Sequence, residues 1–366
     1  MQRKVRSGFV GRWIPVALLA AVTASIGPGA VADEDSPVLA GYRKRIDDAV
    51  DKGLKFLVSQ QQEDGSFKSP GMPGNTAVTS LSVMAFLAKG YTPEIGPYSE
   101  VIDKGIDYIV AKQRADGLLV APTGQSSGPM YEHCISTLML SEVSGMVGKD
   151  RQEKIDTALS KALKLIITAQ QVVKPATHQG GWRYQSTSGD SDISVTGWGL
   201  MALRSARNAG AAVPKASVDQ AVQFVMNCRN GDGGFGYQPG GQSGLARTGT
   251  SLLCLELCGK HGDAATAAAG KWILAHPVGA FGDAGFHGGH FYYGMYYCSQ
   301  GMFQLGGAAW ETFAKNMYEI MLKAQQDDGS WPSNVDSGAS AGPCYSTAMS
   351  LLAMSVIYRQ LPIYQR

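Results

Sequence analysis

The sequence predicts a closed all-α ring of six helical hairpins, an (α/α)6 toroid, and three observations carry that reading. A Gly-rich turn with an aromatic or bulky apolar residue recurs about every fifty residues: QQEDGSF (61–67), QRADGLL (113–119), QGGWRY (179–184), CRNGDGGFGY (228–237), AFGDAGF (280–286) and QQDDGSW (325–331). Before each turn stands a helical stretch with one polar face. After each stands a helix that is apolar nearly all round. A period of this length is the mark of stacked supersecondary units, each of which needs its neighbours to cover its apolar face.

The first helix of each pair carries apolar residues at helical spacing with charges between them, as in VDKGLKFLVSQQ (50–61), IDKGIDYIVAKQ (102–113) and VDQAVQFVMNC (218–228), which predicts one wet face. The second helices are NTAVTSLSVMAFLAKG (75–90), EHCISTLMLSEVSGM (132–146), DISVTGWGLMALRSARNAG (192–210), TGTSLLCLELCG (248–259), FYYGMYYCSQGMFQLGG (291–307) and YSTAMSLLAMSVI (345–357). Their small and apolar residues belong between other helices. The Asp-Gly turns supply left-handed helix stops, and Asn75 and Asp192 are suited to cap the helices that follow them.

Residues 1–32 read as a secretory signal: Arg3, Lys4, Arg6 and Arg12, then the apolar IPVALLAAVTASI, then Ala30-Val31-Ala32 as the cleavage site. Cleavage after Ala32 leaves a toroid over 33–366, exported to the periplasm or outside the cell. The whole chain has 32 Lys+Arg, 30 Asp+Glu and a net charge of +2. Four of those basic residues and no acidic ones lie in the leader, so the remainder has nothing to attract a phosphate backbone, and no nucleic-acid partner is expected.

Gln325-Gln326-Asp327-Asp328-Gly329-Ser330-Trp331 resembles the Q-x-x-D-G-x-W repeat of the terpene-cyclase and prenyltransferase toroids, and Gln61 to Phe67 is similar with Phe for Trp. The resemblance spans nearly all of the chain beyond the leader. It implies that the Gln and the aromatic of each turn tie one outer helix to the next. Squalene-hopene-type cyclases protonate an alkene with the middle Asp of D-x-D-D-T-A; the corresponding segment is Asp192-Ile193-Ser194-Val195-Thr196, which keeps the first Asp and the Thr. A frame shifted by two gives Asp190-Ser191-Asp192-Ile193. The prenyltransferase zinc site needs D-x-C and a His; Cys344 matches the Cys, but Gly342 stands for the Asp and Tyr293 for the His. The C-G-E-Q of thioester domains is absent.

Candidate acid–base residues are therefore Asp192 and Asp190, with Glu132 and His133 as a Glu-His couple at the head of the second inner helix. Tyr131, Trp198, Tyr292, Tyr293 and Tyr345 are the expected aromatic wall of a cavity suited to an apolar, polyisoprenoid-like ligand or a cation. His287 and His290 make an incomplete ligand set, so no metal or cofactor is implied. The six cysteines read as small apolar fillers more than as disulfide partners. Two classes of function follow: a toroid that binds an apolar ligand or a protein partner through its cavity or rim, or an enzyme with displaced acid–base residues, whether a terpenoid cyclase or isomerase or a toroid acting on polysaccharide.

Overall fold

Two inner helices begin at the expected caps, whereas three others begin three residues before the expected stretches, at Pro129, Leu245 and Gly342. The computed structural model describes residues 37–121, 128–283, 290–335 and 340–365; the signal reading and His287 lie outside them. After a single turn at Pro37–Ala40, the helices are α1 Arg43–Gln60, α2 Thr76–Lys89, α3 Ser99–Ala111, α4 Pro129–Val143, α5 Lys149–Gln170 and α6 Ile193–Asn208. They continue with α7 Lys215–Asn227, α8 Leu245–Leu257, α9 Ala264–Ala275, α10 Phe291–Leu305, α11 Gly307–Ala324 and α12 Gly342–Met354. Asn75 Oδ1 accepts from the Val78 N–H and Asp192 Oδ1 from the Val195 N–H, so both caps are made. Strand-like pairing among the described residues is confined to isolated bridges at the turns.

Odd-numbered helices bury one stripe, as the polar-faced pattern requires; α1 buries Ile46, Val50, Leu54 and Leu57 and exposes the opposite face. Even-numbered helices are covered on all sides. Every residue of α2 from Thr76 to Ala88 is buried. The even helices pack in sequence, α2 on α4, α4 on α6, α6 on α8, α8 on α10, α10 on α12, and α12 back on α2, which closes the ring. None of the described helices is long and apolar enough to cross a membrane.

Four of the turns lock neighbouring hairpins by one device. Gln61 Nε2 donates to Gly65 O of its own turn (3.1 Å) and to Val101 O on α3 (2.8 Å). Gln113 does the same to Gly117 and Ala158, and Gln325 to Gly329 and to Ala49 of α1, across the closing joint of the ring. In the third turn the donor is Gln170, not the Gln179 that stands beside the turn in sequence; it reaches Gly180 O and Ser217 O, while Gln179 bonds Lys174 O. The fourth turn has no such Gln, and Trp272 Nε1 on α9 donates to Asp232 instead. The indole N–H groups of Trp182 and Trp331 point back to their own outer helices, at Ile166 O and Met321 O. The turn glycine is fixed by closeness: at Gly65, with φ +89°, a Cβ would lie 2.2 Å from Lys104 O, so only Gly fits.

Far from the turns, residues 355–365 fold under the other end of the ring. Tyr364 and Tyr296 share a hydroxyl–hydroxyl hydrogen bond of 2.5 Å, and the Ile363 N–H donates to Glu142 Oε2 at 3.2 Å. Burial pushes the Glu142 carboxyl up to about 7, opposed by its Ser205 and Ile363 donors. From Tyr364 a column of rings rises through the interior: Tyr296 stacks on Trp198 (5.5 Å), Trp198 meets Tyr297 edge-on (5.2 Å), and Tyr297 lies 4.7 Å from Tyr293. The cysteines are free thiols and all but Cys258 are buried.

Candidate functional site

Each outer helix runs into a turn and each turn into the head of an inner helix, so the turns and the heads of the even-numbered helices share one end of the ring, the mouth. Backbone bonds knit it together: the Met130 N–H donates to Tyr184 O and the Ile193 N–H to Tyr237 O. Tyr131, Tyr184, Tyr237, Tyr293 and Tyr345 are half-buried here, as is Ser194. Tyr131 and Tyr184 rings lie 5.9 Å apart, the Tyr184 and Tyr237 hydroxyls meet at 2.5 Å, and Tyr293 Oη bonds Thr250 Oγ1 at 2.8 Å.

Asp192 lies at the floor of this region with no exposed surface. Its Oδ1 holds the cap of α6, and its Oδ2 has no hydrogen-bond partner. The nearest cation is Arg183, whose Nε is 4.0 Å from Oδ2. Arg183 is itself held in place: Nη1 bonds Asp190 Oδ2 at 2.6 Å, and the guanidinium lies 5.0 Å from the Tyr184 ring and 5.8 Å from that of Tyr237. Gln238 Nε2 also donates to Asp190. Burial pushes the Asp192 pKa up to about 6, while the Val195 N–H of the cap, the Tyr237 hydroxyl and the Arg183 charge each favour the charged form. Tyr131, Tyr237, Tyr293 and the Cys228 thiol all sit above their ordinary values, first from burial and then from the Asp192 charge beside them.

The structure therefore brings Asp192, Asp190, Tyr131 and Tyr293 into one neighbourhood. Glu132 and His133 it uses otherwise. Glu132 Oε2 accepts from Thr76 N, Thr76 Oγ1 and Ala121 N, at 3.0–3.1 Å. His133 Nδ1 accepts from the Leu119 N–H, and Nε2 bonds Ala162 O on α5. The first bond fixes Nδ1 as acceptor and so places the proton on Nε2. Burial pushes this imidazole down to about 4. Thr79, Thr196, Thr248 and Thr347 accept the corresponding turn N–H in four other hairpins, so His133 replaces a threonine of the repeat. Trp198 and Tyr292 are only 2% and 1% exposed, the first packed in the ring column, the second donating its hydroxyl to Pro332 O. Tyr345 lies 6.5 Å from Tyr292.

The matched family model is described as the prenyltransferase alpha-alpha toroid domain, and it covers residues 38–181 and 157–290. The chain belongs to this family. Solved structures of the same architecture include a glycosidase variant in complex with glucose (14% identity, TM-score 0.57, over 89% of this chain and 99% of that one). Another is the apo type II terpene cyclase MstE from Scytonema (13% identity, TM-score 0.58, over 87% and 100%), and a third is a protein from Actinoplanes (14%, 0.53, 86% and 99%). At such identities the likeness is one of fold. No curated protein sequence matches. Within this prenyltransferase-toroid chain no three His, Cys, Asp or Glu side chains converge as metal ligands among the described residues.

Sequence reasoning passed over Arg183, Tyr184, Tyr237 and Gln238. Their signal was in the turns: Trp182-Arg183-Tyr184 and Phe235-Gly236-Tyr237 each set a Tyr two residues beyond the turn aromatic. In extended backbone that spacing returns side chains to one side, and the two hydroxyls do meet.

Proposed function

We propose that this is an exported toroid that takes a ligand with an apolar body at its mouth, against Tyr131, Tyr293 and Tyr345, with Asp192 as its polar anchor. The observation that carries the reading is the Asp192 carboxylate oxygen, fully buried and without a partner within 3.5 Å, beside half-buried tyrosines. A polar atom left so is costly to the fold and is retained most readily where a ligand completes it. The basic start, apolar stretch and A-x-A of residues 1–32 support export, and the repeated Gln-to-aromatic spacing supports QW-type turns. Titration of the purified protein with a fluorescent farnesol analogue tests the mouth. Tyr293→Ala is expected to weaken binding at least severalfold, and unchanged affinity would remove the mouth from consideration. N-terminal sequencing of protein from its native envelope is expected to start at Asp33; a retained Met1 would refute processing.

A second reading, an enzyme with a displaced acid, is favoured by one observation: Asp192 is held near the pKa at which a carboxyl exchanges protons at neutral pH. Asp190 and Asp192 share one arginine and are two residues apart in the chain, unlike the facing carboxylates of glycoside hydrolysis. Ser194 and Val195 offer no acid for alkene protonation. Squalene incubated with the protein is therefore expected to be recovered unchanged by gas chromatography. Cyclic products that disappear in Asp192→Asn would establish the second reading instead.

A further inference from the structure

The gap between Asp192 and Arg183 has a definite chemical requirement. On one side is a buried carboxylate oxygen that no donor reaches within 3.5 Å, with the Tyr237 hydroxyl beside it. On the other is a guanidinium N–H at Nε, without a hydrogen bond among the described residues, in a side chain that is 25% exposed. The two atoms are 4.0 Å apart, too far to bond each other. An oxygen at ordinary distances, about 2.7 Å from Oδ2 and about 2.9 Å from Nε, would see the pair at roughly 90°, close to the angle between a hydroxyl's O–H and its lone pairs.

We propose, resting on the mouth reading above, that Asp192 and Arg183 together recognise an alcohol: a ligand hydroxyl that donates to Asp192 Oδ2 and accepts from Arg183 Nε–H. Other common groups satisfy one side only. An ammonium donates to the carboxylate but meets the guanidinium as a like charge. A carboxylate or phosphate accepts from Arg183 but repels Asp192, and a carbonyl or ether oxygen leaves Asp192 without a donor. A hydroxyl does both with one atom. Arg183 is kept from closing on Asp192 by its bond to Asp190 and by the Tyr184 and Tyr237 rings, and Gln238 holds Asp190 in turn. The guanidinium is thus held in a fixed position relative to Asp192. The hydroxyl could belong to a prenyl alcohol or to a sugar, and both would set an apolar face against the tyrosines.

Isothermal titration of the mature protein with farnesol, with farnesene, which lacks the hydroxyl, and with methyl glucoside separates these sources. A hydrogen bond to a charged partner makes farnesol bind roughly tenfold to a hundredfold more tightly than farnesene. Asp192→Asn keeps the cap of α6 through its own Oδ1 but turns the acceptor at Oδ2 into a donor, so the preference is expected to vanish while the fold stays. Arg183→Gln is expected to reduce the preference in part. Binding of methyl glucoside alone, lost in Asp192→Asn, would support the alcohol site with a sugar as its source. Equal binding of farnesol and farnesene, both weakened by Tyr293→Ala, would overturn the alcohol and leave the mouth reading standing. A preference that survives Asp192→Asn would overturn it as well, and failure of all three ligands to bind would overturn both readings.

Discussion

The heads of α4 and α6 begin with the same kind of chemistry and end in different states. At α4, Glu132 Oε2 takes three donors, and both His133 nitrogens are bonded to backbone, one to the turn before it and one to the next outer helix. At α6, Asp192 gives one oxygen to the helix cap and keeps the other without a partner. All three side chains are almost wholly buried. Burial therefore does not distinguish these two heads; the satisfaction of their polar atoms does, because an unmade bond in the interior costs more than a made one contributes.

That contrast is broken or sharpened by substitution at the two heads. The largest effect is expected at His133→Ala, which strands the Leu119 N–H and the Ala162 carbonyl and opens space: a loss of about 3 kcal/mol in denaturant unfolding at pH 8. A loss under about 0.5 kcal/mol would show that the bonds to α5 and the turn are incidental. Asp192→Asn is expected to act in the opposite direction at the same pH. It removes a buried charge and keeps the cap, for a gain of about 1–2 kcal/mol.

Both differences should shrink on acidification, from opposite sides. Asp192 has a folded pKa of about 6, above its ordinary 3.8. The folded state thus holds a proton that the unfolded chain has lost, and Asp192 costs stability as pH rises from about 4 to 6. At pH 4 the parent and Asp192→Asn are expected to unfold alike. The groups facing it, Arg183, Tyr131, Tyr237, Tyr293 and Cys228, keep their charge state over that interval. His133 is neutral when folded, with a pKa lowered to about 4 from 6.5. Its contribution is complete above 6.5 and is lost as pH falls toward 4, so the deficit of His133→Ala narrows. A pH-independent gap for Asp192→Asn would mean that this carboxyl titrates normally. The smallest effect is expected at Glu132→Gln, about 1 kcal/mol, since the amide carbonyl keeps part of the three-donor arrangement; a loss as large as that of His133→Ala would mean that its charge holds the head of α2.

Much of this molecule could be read from one sequence. The fifty-residue period, the polar-faced and apolar helices and the Asp-Gly stops are local or near-local features; hence the ring, its alternation and the caps at Asn75 and Asp192 were legible. The details that depend on a partner from another hairpin were not. Gln170 in place of Gln179, Trp272 in place of a fourth Gln, and His133 in place of a threonine are settled by which carbonyl or N–H arrives from the next repeat.

The site divides in the same way. The family resemblance pointed to Asp192 and Asp190, and residue type at the heads of the inner helices pointed to Tyr131 and Tyr293. They equally pointed to Glu132, His133, Trp198 and Tyr292, whose polar atoms and rings are taken up by other parts of the ring. Arg183 and Tyr237 lie some fifty residues apart in the chain and enclose the same carboxylate only after the third and fourth hairpins pack. Whether a side chain is left with an unfilled hydrogen bond depends on every group that surrounds it in space, and the sequence fixes that only through the closed ring.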